Sequence, residues 1–179
     1  MLVISGASAS GKTFIANIIA KKHGLSRVIT VTTRAKREGE VDGVDYFFVS
    51  KDEFKKLIAE DKLVEYTIYN GNYYGSRKDQ IGDNKILVIE ANGLKSYIAL
   101  KNKSIITFAL LADHKLRKER MIARGDKLED IEARLKQDKI VFSKSNLKGV
   151  NYFIENGCCD VECIAEDIYQ KYLEALKNI

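Results

Sequence analysis

One segment of eight residues constrains what this chain can fold into more than any other feature. Its residues are Gly6, Ala7, Ser8, Ala9, Ser10, Gly11, Lys12 and Thr13, which match the pattern G-x-x-x-x-G-K-[ST]. The segment follows an apolar stretch typical of a strand, residues 2–5, and leads into an amphipathic stretch typical of a helix, residues 13–22. Small residues at such a junction let backbone amides surround a polyphosphate at a helix N-terminus. The pattern therefore predicts a nucleotide-binding loop in which Lys12 reaches the β- and γ-phosphates and the Thr13 hydroxyl ligates Mg²⁺.

Strand-like and helix-like segments alternate along the rest of the chain, which indicates an α/β fold with parallel core strands. Strands are predicted at residues 28–31, 46–49, 85–90, 104–111 and 152–154, and helices at residues 50–60, 93–101, 113–124, 129–142 and 161–177. Ser50 and Glu53 have the spacing of a capping box at the start of one of these helices. Residues 63–69 and 72–76 predict an antiparallel hairpin, because Asn70-Gly71 tolerates the positive φ of a tight turn.

Length and charge narrow the classes of partner. A chain of 179 residues suits a single domain, and no apolar run approaches the roughly 20 residues that span a bilayer. The excess of 30 basic over 25 acidic residues, a net charge of +5, favours anionic ligands. Basic and acidic residues interleave along the chain, so a nucleic-acid partner is not expected. The nucleotide-binding loop begins at residue 6, which leaves no room for a signal peptide, and we expect a cytoplasmic protein.

The three cysteines do not predict a disulfide framework or a zinc site. Cys158, Cys159 and Cys163 form a single cluster of odd number, and the two histidines, His23 and His114, lie far from it in the sequence. Reduced thiols are the expected state.

Several segments downstream of the loop carry a resemblance to a known family. They are Thr30-Val-Thr-Thr-Arg34-Ala-Lys-Arg37, Leu63-Val-Glu65-Tyr66 and Gly71-Asn-Tyr-Tyr74-Gly-Ser76. With the nucleotide-binding loop, they make most of the chain resemble the guanylate kinases. The resemblance implies ATP-dependent phosphorylation of GMP, and of dGMP, to GDP by in-line transfer, with ATP and Mg²⁺ as cofactors and a monomer or small homo-oligomer as the assembly.

The resemblance also implies an architecture. It is the three-layer fold of P-loop NTPases: a parallel core sheet, a small antiparallel subdomain that binds the monophosphate, and a helical lid. In this chain the core would comprise about residues 1–32, 77–113 and 148–179. The GMP-binding subdomain would comprise about residues 33–76, and the lid about residues 114–147.

Four residues have the chemistry of a monophosphate site. Arg34 and Arg37 are able to form bidentate bonds to phosphate, and the hydroxyls of Tyr46 and Tyr74 add uncharged donors. A solvated basic turn beside ordinary strand tyrosines is the alternative. In the guanylate kinases, the positions that match these four residues hold the phosphate of GMP.

Glu65 lies within an otherwise apolar strand, where an unpaired inward carboxylate would be costly. Guanine presents a ring NH beside an exocyclic amine, two donors that one carboxylate accepts together, whereas adenine presents an acceptor at that ring position. Glu65 is therefore expected to select guanine, unless alternation turns it to solvent. Ser76 is expected to donate to the guanine carbonyl, and the resemblance places Thr30 against the base.

The resemblance implies further ATP contacts in the second half of the chain. Arg120, Arg124 and Arg134 match lid arginines that close onto the phosphates, and Asn156 matches a position near adenine. The alternative for the three arginines is a solvated helix, and the alternative for Asn156 is a simple Asn-Gly turn. With Lys12, Arg34 and Arg37, the three lid arginines complete the expected catalytic set.

One strand departs from the family pattern. The guanylate kinases usually carry Asp-x-Asp where this chain has Val88-Ile89-Glu90, so one acid is missing and the other is longer by a methylene. Glu90 is expected to bind GMP and to hold Mg²⁺ through a water molecule. Two alternatives to a GMP kinase are a kinase for another nucleoside monophosphate and a non-catalytic guanylate-kinase-like binding module.

Overall fold

The computed structural model describes residues 1–69, 71–143, 145–157 and 160–178, and its strands form two sheets. The strands are β1 (Leu2–Gly6), β2 (Ser26–Arg27), β3 (Val31–Thr32), β4 (Phe47–Phe48), β5 (Leu63–Tyr69), β6 (Asn72–Arg77), β7 (Lys85–Ile89), β8 (Ile106–Leu111) and β9 (Tyr152–Glu155). The helices are α1 (Lys12–His23), α2 (Lys51–Ala59), α3 (Ala91–Ala99), α4 (His114–Ala123), α5 (Leu128–Val141) and α6 (Val161–Lys177), with a 3₁₀ turn at Lys78–Gln80.

The core sheet is parallel throughout, in the order β2-β7-β1-β8-β9. Side chains alternate across a strand, so β1 faces both layers of helices. Leu2 and Ile4 pack in one hydrophobic cluster with residues of α1 and α6, while Val3 packs in a second cluster with Leu94 and Tyr97 of α3. The predicted three-layer α/β architecture with parallel core strands is confirmed.

The second sheet has the order β4-β3-β6-β5 and packs against α2 through Val31, Phe54 and Leu63. The predicted antiparallel pairing is present in the β5–β6 hairpin and between β6 and β3, and β4 adds a short parallel pair with β3. Asn70 of the predicted turn lies outside the described residues, whereas Gly71 has the positive φ that the turn requires. The predicted capping box is also present, since Ser50 and Glu53 bond each other's backbone amides.

The strand predicted at residues 28–31 is divided between the two sheets. Residues 26–27 pair with β7 in the core sheet, where the amide of Val28 adds one more bond to Ile86, and Val31–Thr32 pair with β6 in the second sheet. The prediction of one continuous strand is wrong, because the β-branched run crosses from one sheet to the other. Thr30 consequently lies at the junction of the sheets.

The lid segment folds as the helical pair α4 and α5, joined by a turn at Gly125, where φ is positive. A small cluster of Met121, Ile131 and Leu135 holds the two helices together, and Ala9 of the nucleotide-binding loop packs against it. Among the described residues, no helix is both long and apolar enough to cross a bilayer. Cys158 and Cys159 lie outside the described residues, and Cys163 is exposed on α6.

Glu166 gives the packing of α1 against α6 a predictable pH dependence. Hydrogen bonds from Lys22 and Gln170 lower the pKa of Glu166 from 4.5 to about 2. A depressed folded-state pKa contributes stability that is present above the unfolded value and is lost as the pH falls toward the folded value. Chemical denaturation between pH 5 and pH 2 should therefore show a shallower fall in the free energy of unfolding for Glu166→Gln than for the parent. Glu174→Gln on the same helix is the control, and equal slopes for E166Q and the parent would contradict the assignment.

Candidate active site

Side chains from distant parts of the chain occupy three successive carbonyl oxygens of the nucleotide-binding loop. Arg117 Nε donates to the carbonyl of Ser8 at 2.8 Å, Arg120 Nη1 to that of Ala9 at 3.2 Å, and Asn156 Nδ2 to that of Ser10 at 2.7 Å. A carbonyl oxygen would repel a phosphate, so bonding these oxygens elsewhere favours a loop that presents amide donors. The first amides of α1 have no intrahelical partner and add to that set.

The structure gives a steric reason for the glycine that precedes the lysine of the pattern. Gly11 has a φ of +91°, and a Cβ at this position would lie 2.6 Å from Asn156 Nδ2. Asn156 follows β9 and is only 3% exposed. The structure thus places Asn156 beneath the loop as an anchor for Ser10. It is not among the described residues that line the cavities defined below, and its expected contact with adenine stays a prediction.

A cavity of about 370 Å³ lies over the loop and is called the loop cavity here. The described residues that line it are Ser8, Ala9, Ser10, Gly11, Lys12, Thr13, Phe14, Glu90, Arg124 and Arg134. The Lys12 ammonium lies 3.3 Å from a carboxylate oxygen of Glu90 and 3.4 Å from the carbonyl of Ala7. Glu90 is the N-cap residue of α3, and its side chain is 72% exposed, so this ion pair is open to exchange with a bound phosphate.

Asp126 holds two of the three predicted lid arginines. Its carboxylate accepts hydrogen bonds from Arg124 and, at 3.0 Å, from Arg134. The bond from Arg124 is the main cause that lowers the pKa of Asp126, and the charge of Arg134 adds to it. Arg120 instead bonds the nucleotide-binding loop. Sequence reasoning predicted the arginines but missed Asp126. The signal that could have found it is its position directly after Gly125, in the turn between α4 and α5.

A larger cavity of about 1060 Å³, the sheet cavity, opens between the second sheet and helices α3 and α5. It is lined by the predicted GMP-binding residues Thr30, Tyr46, Glu65, Tyr74, Ser76 and Glu90. Ser8, Glu90 and Arg134 line the loop cavity as well, so the two cavities meet at these three residues. A ligand in each cavity would therefore bring its reacting end to the same place.

Glu65 faces the sheet cavity, where its carboxylate accepts a hydrogen bond of 2.6 Å from the hydroxyl of Ser76. Burial raises the pKa of Glu65, and the bonds from Ser76 partly oppose that rise. Gly93 of α3 lies behind the carboxylate, and a Cβ there would lie 3.4 Å from Glu65 Cδ and clash with Ile89. The sequence predicted that the Ser76 hydroxyl would donate a hydrogen bond to a ligand carbonyl. In this structure it donates that bond to Glu65 instead.

Three of the four predicted monophosphate residues lie together. The guanidinium of Arg34 lies 5.5 Å from the ring centroid of Tyr46, and the rings of Tyr46 and Tyr74 are 6.3 Å apart. Glu40, which sequence reasoning missed, accepts a 2.7 Å bond from Arg34 and a 2.8 Å bond from the backbone amide of Arg37. The hydrogen bond to Glu40 is the main cause that raises the pKa of Arg34.

The two arginines of this group stand back from the cavities. Arg37 is exposed, and neither it nor Arg34 is among the described residues that line either cavity. Arg34 already lies against Tyr46, so its predicted contact with a phosphate would require release from Glu40, whereas Arg37 would have to move toward the two tyrosines.

Comparison with known proteins identifies the family. The family model described as guanylate kinase matches residues 1–169. This chain belongs to the guanylate kinase family. It is 32% identical over 180 residues to the guanylate kinase of Fusobacterium nucleatum, covering 93% of this chain and 96% of that protein. It is 35% identical over 175 residues to the guanylate kinase of Clostridium perfringens, covering 92% and 81% of the two chains.

Solved structures agree with this family assignment. The crystal structure of guanylate kinase from Anaplasma phagocytophilum superposes with a TM-score of 0.70 at 25% identity, covering 97% of this chain and 84% of that one. Shikimate kinase from Acinetobacter baumannii superposes with a TM-score of 0.56 at 12% identity, covering 97% and 92%. The second likeness shows the fold alone.

The acidic strand of this guanylate kinase family member differs from the usual Asp-x-Asp, and the structure shows where the change lies. Val88 is in β7 and lines the sheet cavity, while Glu90 lines both cavities. Among the described residues, no group of three or more His, Cys, Asp or Glu side chains could by itself hold a metal ion.

Asn156→Asp tests the anchoring of the loop. The aspartate keeps the size of the side chain but loses the donor to Ser10, and a buried acceptor then faces a carbonyl oxygen. We expect the free energy of unfolding to fall by about 1–3 kcal/mol and the affinity for MgATP to weaken, as measured by denaturation and calorimetry. Asn151→Asp is the comparison variant, because Asn151 Oδ1 only accepts from Thr107 and an aspartate preserves those bonds. Parent-like MgATP affinity in N156D would show that Asn156 does not hold the loop in its binding conformation.

Proposed function

We propose that this member of the guanylate kinase family transfers the γ-phosphoryl group of ATP in line to a phosphate oxygen of GMP, or of dGMP, and forms ADP and GDP. The observation that carries the proposal is the meeting of the two cavities at Ser8, Glu90 and Arg134. One cavity is lined by a phosphate-binding loop and the other by a carboxylate suited to guanine. Phosphoryl transfer is chiefly a matter of position and of charge stabilisation, and this arrangement supplies both.

The sheet cavity supports GMP as the acceptor. The carboxylate of Glu65 has room for the ring NH and the exocyclic amine of guanine, and Ser76 lies beside it at 2.6 Å. When guanine supplies donors to Glu65, the Ser76 hydroxyl is free to donate its hydrogen bond to the guanine carbonyl. AMP would place an acceptor against the carboxylate, so the site disfavours a kinase for adenine nucleotides.

The loop cavity supports ATP as the donor. Lys12 and the amides at the start of α1 face the position of the β- and γ-phosphates, and Arg124 and Arg134 line the same cavity. Thr13 would bind Mg²⁺ through its hydroxyl and Glu90 through a water molecule, and these hard oxygen donors fit an ion that takes its other ligands from phosphates and water. An ion held there would supply positive charge to neutralise the bound phosphates.

The transfer requires no general base from the protein. The second pKa of a phosphate monoester is about 6, so GMP arrives largely dianionic at neutral pH. Lys12, Arg120, Arg124 and Arg134 would stabilise charge on the transferring group, with Arg34 and Arg37 holding the acceptor phosphate. Binding of phosphate would replace Glu40 as the partner of Arg34, and Asp126 as the partner of Arg124 and Arg134. We place the reaction in purine nucleotide metabolism in the cytoplasm and assign the enzyme as a monomer or small homo-oligomer.

A coupled assay for ADP release, with MgATP and a panel of GMP, dGMP, IMP, AMP, CMP and UMP, tests the function. We expect turnover with GMP and dGMP, weaker turnover with IMP, which lacks the exocyclic amine, and little with the other nucleotides. Lys12→Ala and Arg37→Ala should each depress turnover of GMP by orders of magnitude. A parent enzyme that does not turn over GMP would refute the proposed function, and a non-catalytic binding module would then be favoured.

Glu65→Gln tests the assigned base selectivity. The glutamine amide offers one acceptor and one donor, so it opposes one of the two guanine donors that the carboxylate accepts. We expect kcat/KM for GMP to fall by about 5- to 150-fold while the KM for ATP stays close to that of the parent. Glu60→Gln, an exposed change at the end of α2, is the control. A larger loss with GMP than with IMP is the expected pattern for a carboxylate that accepts from both donors, and an unchanged kcat/KM for GMP would remove Glu65 from the site.

A further inference from the structure

Arg117 and Asp138 form an ion pair on the side of the lid that faces the nucleotide-binding loop. Together with the backbone of Ser8, this pair closes a hydrogen-bonded ring. Arg117 Nε donates to the carbonyl of Ser8 at 2.8 Å, and its Nη2 donates to Asp138 Oδ2. The same carboxylate oxygen accepts the amide of Ser8 at 2.9 Å. Both backbone hydrogen-bonding groups of Ser8 are thereby held, one by a residue of α4 and one by a residue of α5.

Burial of this ion pair costs free energy. An ion pair that only joined the two helices would not need to be buried. The side chains of Arg117 and Asp138 are only 8% and 13% exposed, and burial lowers the pKa of Arg117 against the opposing effect of Asp138. Desolvation of a buried pair offsets much of its Coulombic gain. A second pair, Lys118 with Glu132, also joins α4 to α5, but it is 39% and 59% exposed and lies on the surface. The buried pair is therefore better explained by its contact with the loop.

The residue that the pair holds lies where the two cavities meet. Ser8 lines both the loop cavity and the sheet cavity. It is followed by Ala9 and Ser10, whose carbonyls are bonded by Arg120 and Asn156. A rotation of the Ser8 peptide would turn its carbonyl toward the polyphosphate and would disturb the amides that follow.

We propose that Arg117 and Asp138 are positioning residues for the phosphate-binding loop, which fix the Ser8 peptide and thereby couple the two lid helices to binding of the donor nucleotide. The proposal rests on the proposed function, since it assigns the loop to ATP. It predicts that loss of Arg117 weakens the interaction with ATP far more than the interaction with GMP, because Arg117 contacts the loop and does not line the sheet cavity among the described residues. Asp138 does line that cavity, and Arg117 balances its charge.

The experiment compares four variants with the parent enzyme. Arg117→Met removes both bonds of the guanidinium, and Arg117→Lys keeps the charge without the fork that reaches Ser8 and Asp138 together. The double variant R117M/D138N removes the uncompensated carboxylate as well. Lys118→Met is the matched control, because it breaks the surface pair between the same helices. Melting temperature, KM for ATP and GMP, kcat, and the calorimetric Kd of MgATP and of GMP alone are measured for each.

The expected result is a rise of about tenfold or more in the KM and Kd for ATP in R117M and in R117M/D138N, with the Kd for GMP changed by no more than about twofold in the double variant, which leaves no unbalanced charge at the sheet cavity. R117K should retain most of this defect, and K118M should match the parent. The double variant should recover melting temperature but not ATP affinity, since Ser8 still lacks its donor.

Three results would overturn the proposal. They are parent-like ATP affinity in R117M, recovery of that affinity in R117M/D138N, and an equal defect in K118M. Failure of the proposed function is seen separately, because it would appear in the parent enzyme as absent turnover of GMP.

Discussion

The hydrogen bonds that occupy the carbonyl oxygens of the nucleotide-binding loop are the constraint on which the rest of the site depends. A loop of small residues has many accessible backbone conformations, and only some of them direct amides at a phosphate. Here the carbonyls of Ser8, Ala9 and Ser10 each receive a side-chain donor. Two of these donors come from the lid helix α4, and the third comes from the end of the core sheet. The conformation of the loop therefore depends on tertiary structure from the far half of the chain.

Acidic partners determine the state of the basic residues before any ligand binds. Glu40 holds Arg34, Asp126 holds Arg124 and Arg134, and Glu90 lies 3.3 Å from Lys12. Such pairs fix where these positive charges lie and limit their mutual repulsion. A phosphate that binds must displace these carboxylates, so part of its electrostatic gain is offset by the contacts that it breaks. The net charge of +5 therefore says little about how strongly the free enzyme attracts anions.

The parts of this structure that sequence reasoning could predict are those governed by local pattern. The nucleotide-binding loop, the parallel strands β1, β7 and β8, the capping box at Ser50 and the hairpin each follow from neighbouring residues. The division of residues 26–32 between two sheets could not be predicted, because Val28 and Val31 have the same strand preference and only their distant partners differ. The ring around Ser8 was hidden for the same reason, since Arg117 and Asp138 lie 109 and 130 residues away from it. Glu65 and Ser76 were predicted to contact a base because guanine imposes a recognisable chemistry, and Thr30 was predicted from the resemblance, whereas Glu40 and Asp126 only contact other protein groups.

The divided strand also determines how the predicted GMP-binding residues are attached to the core sheet. The second sheet joins the core sheet through two backbone connections, residues 28–30 and residues 78–84. Thr30 lies within the first of these connections, whereas Arg34 and Arg37 lie beyond β3. Thr30, predicted to contact the base, and the two arginines, predicted to contact the phosphate, are therefore tied to the core sheet by different lengths of chain.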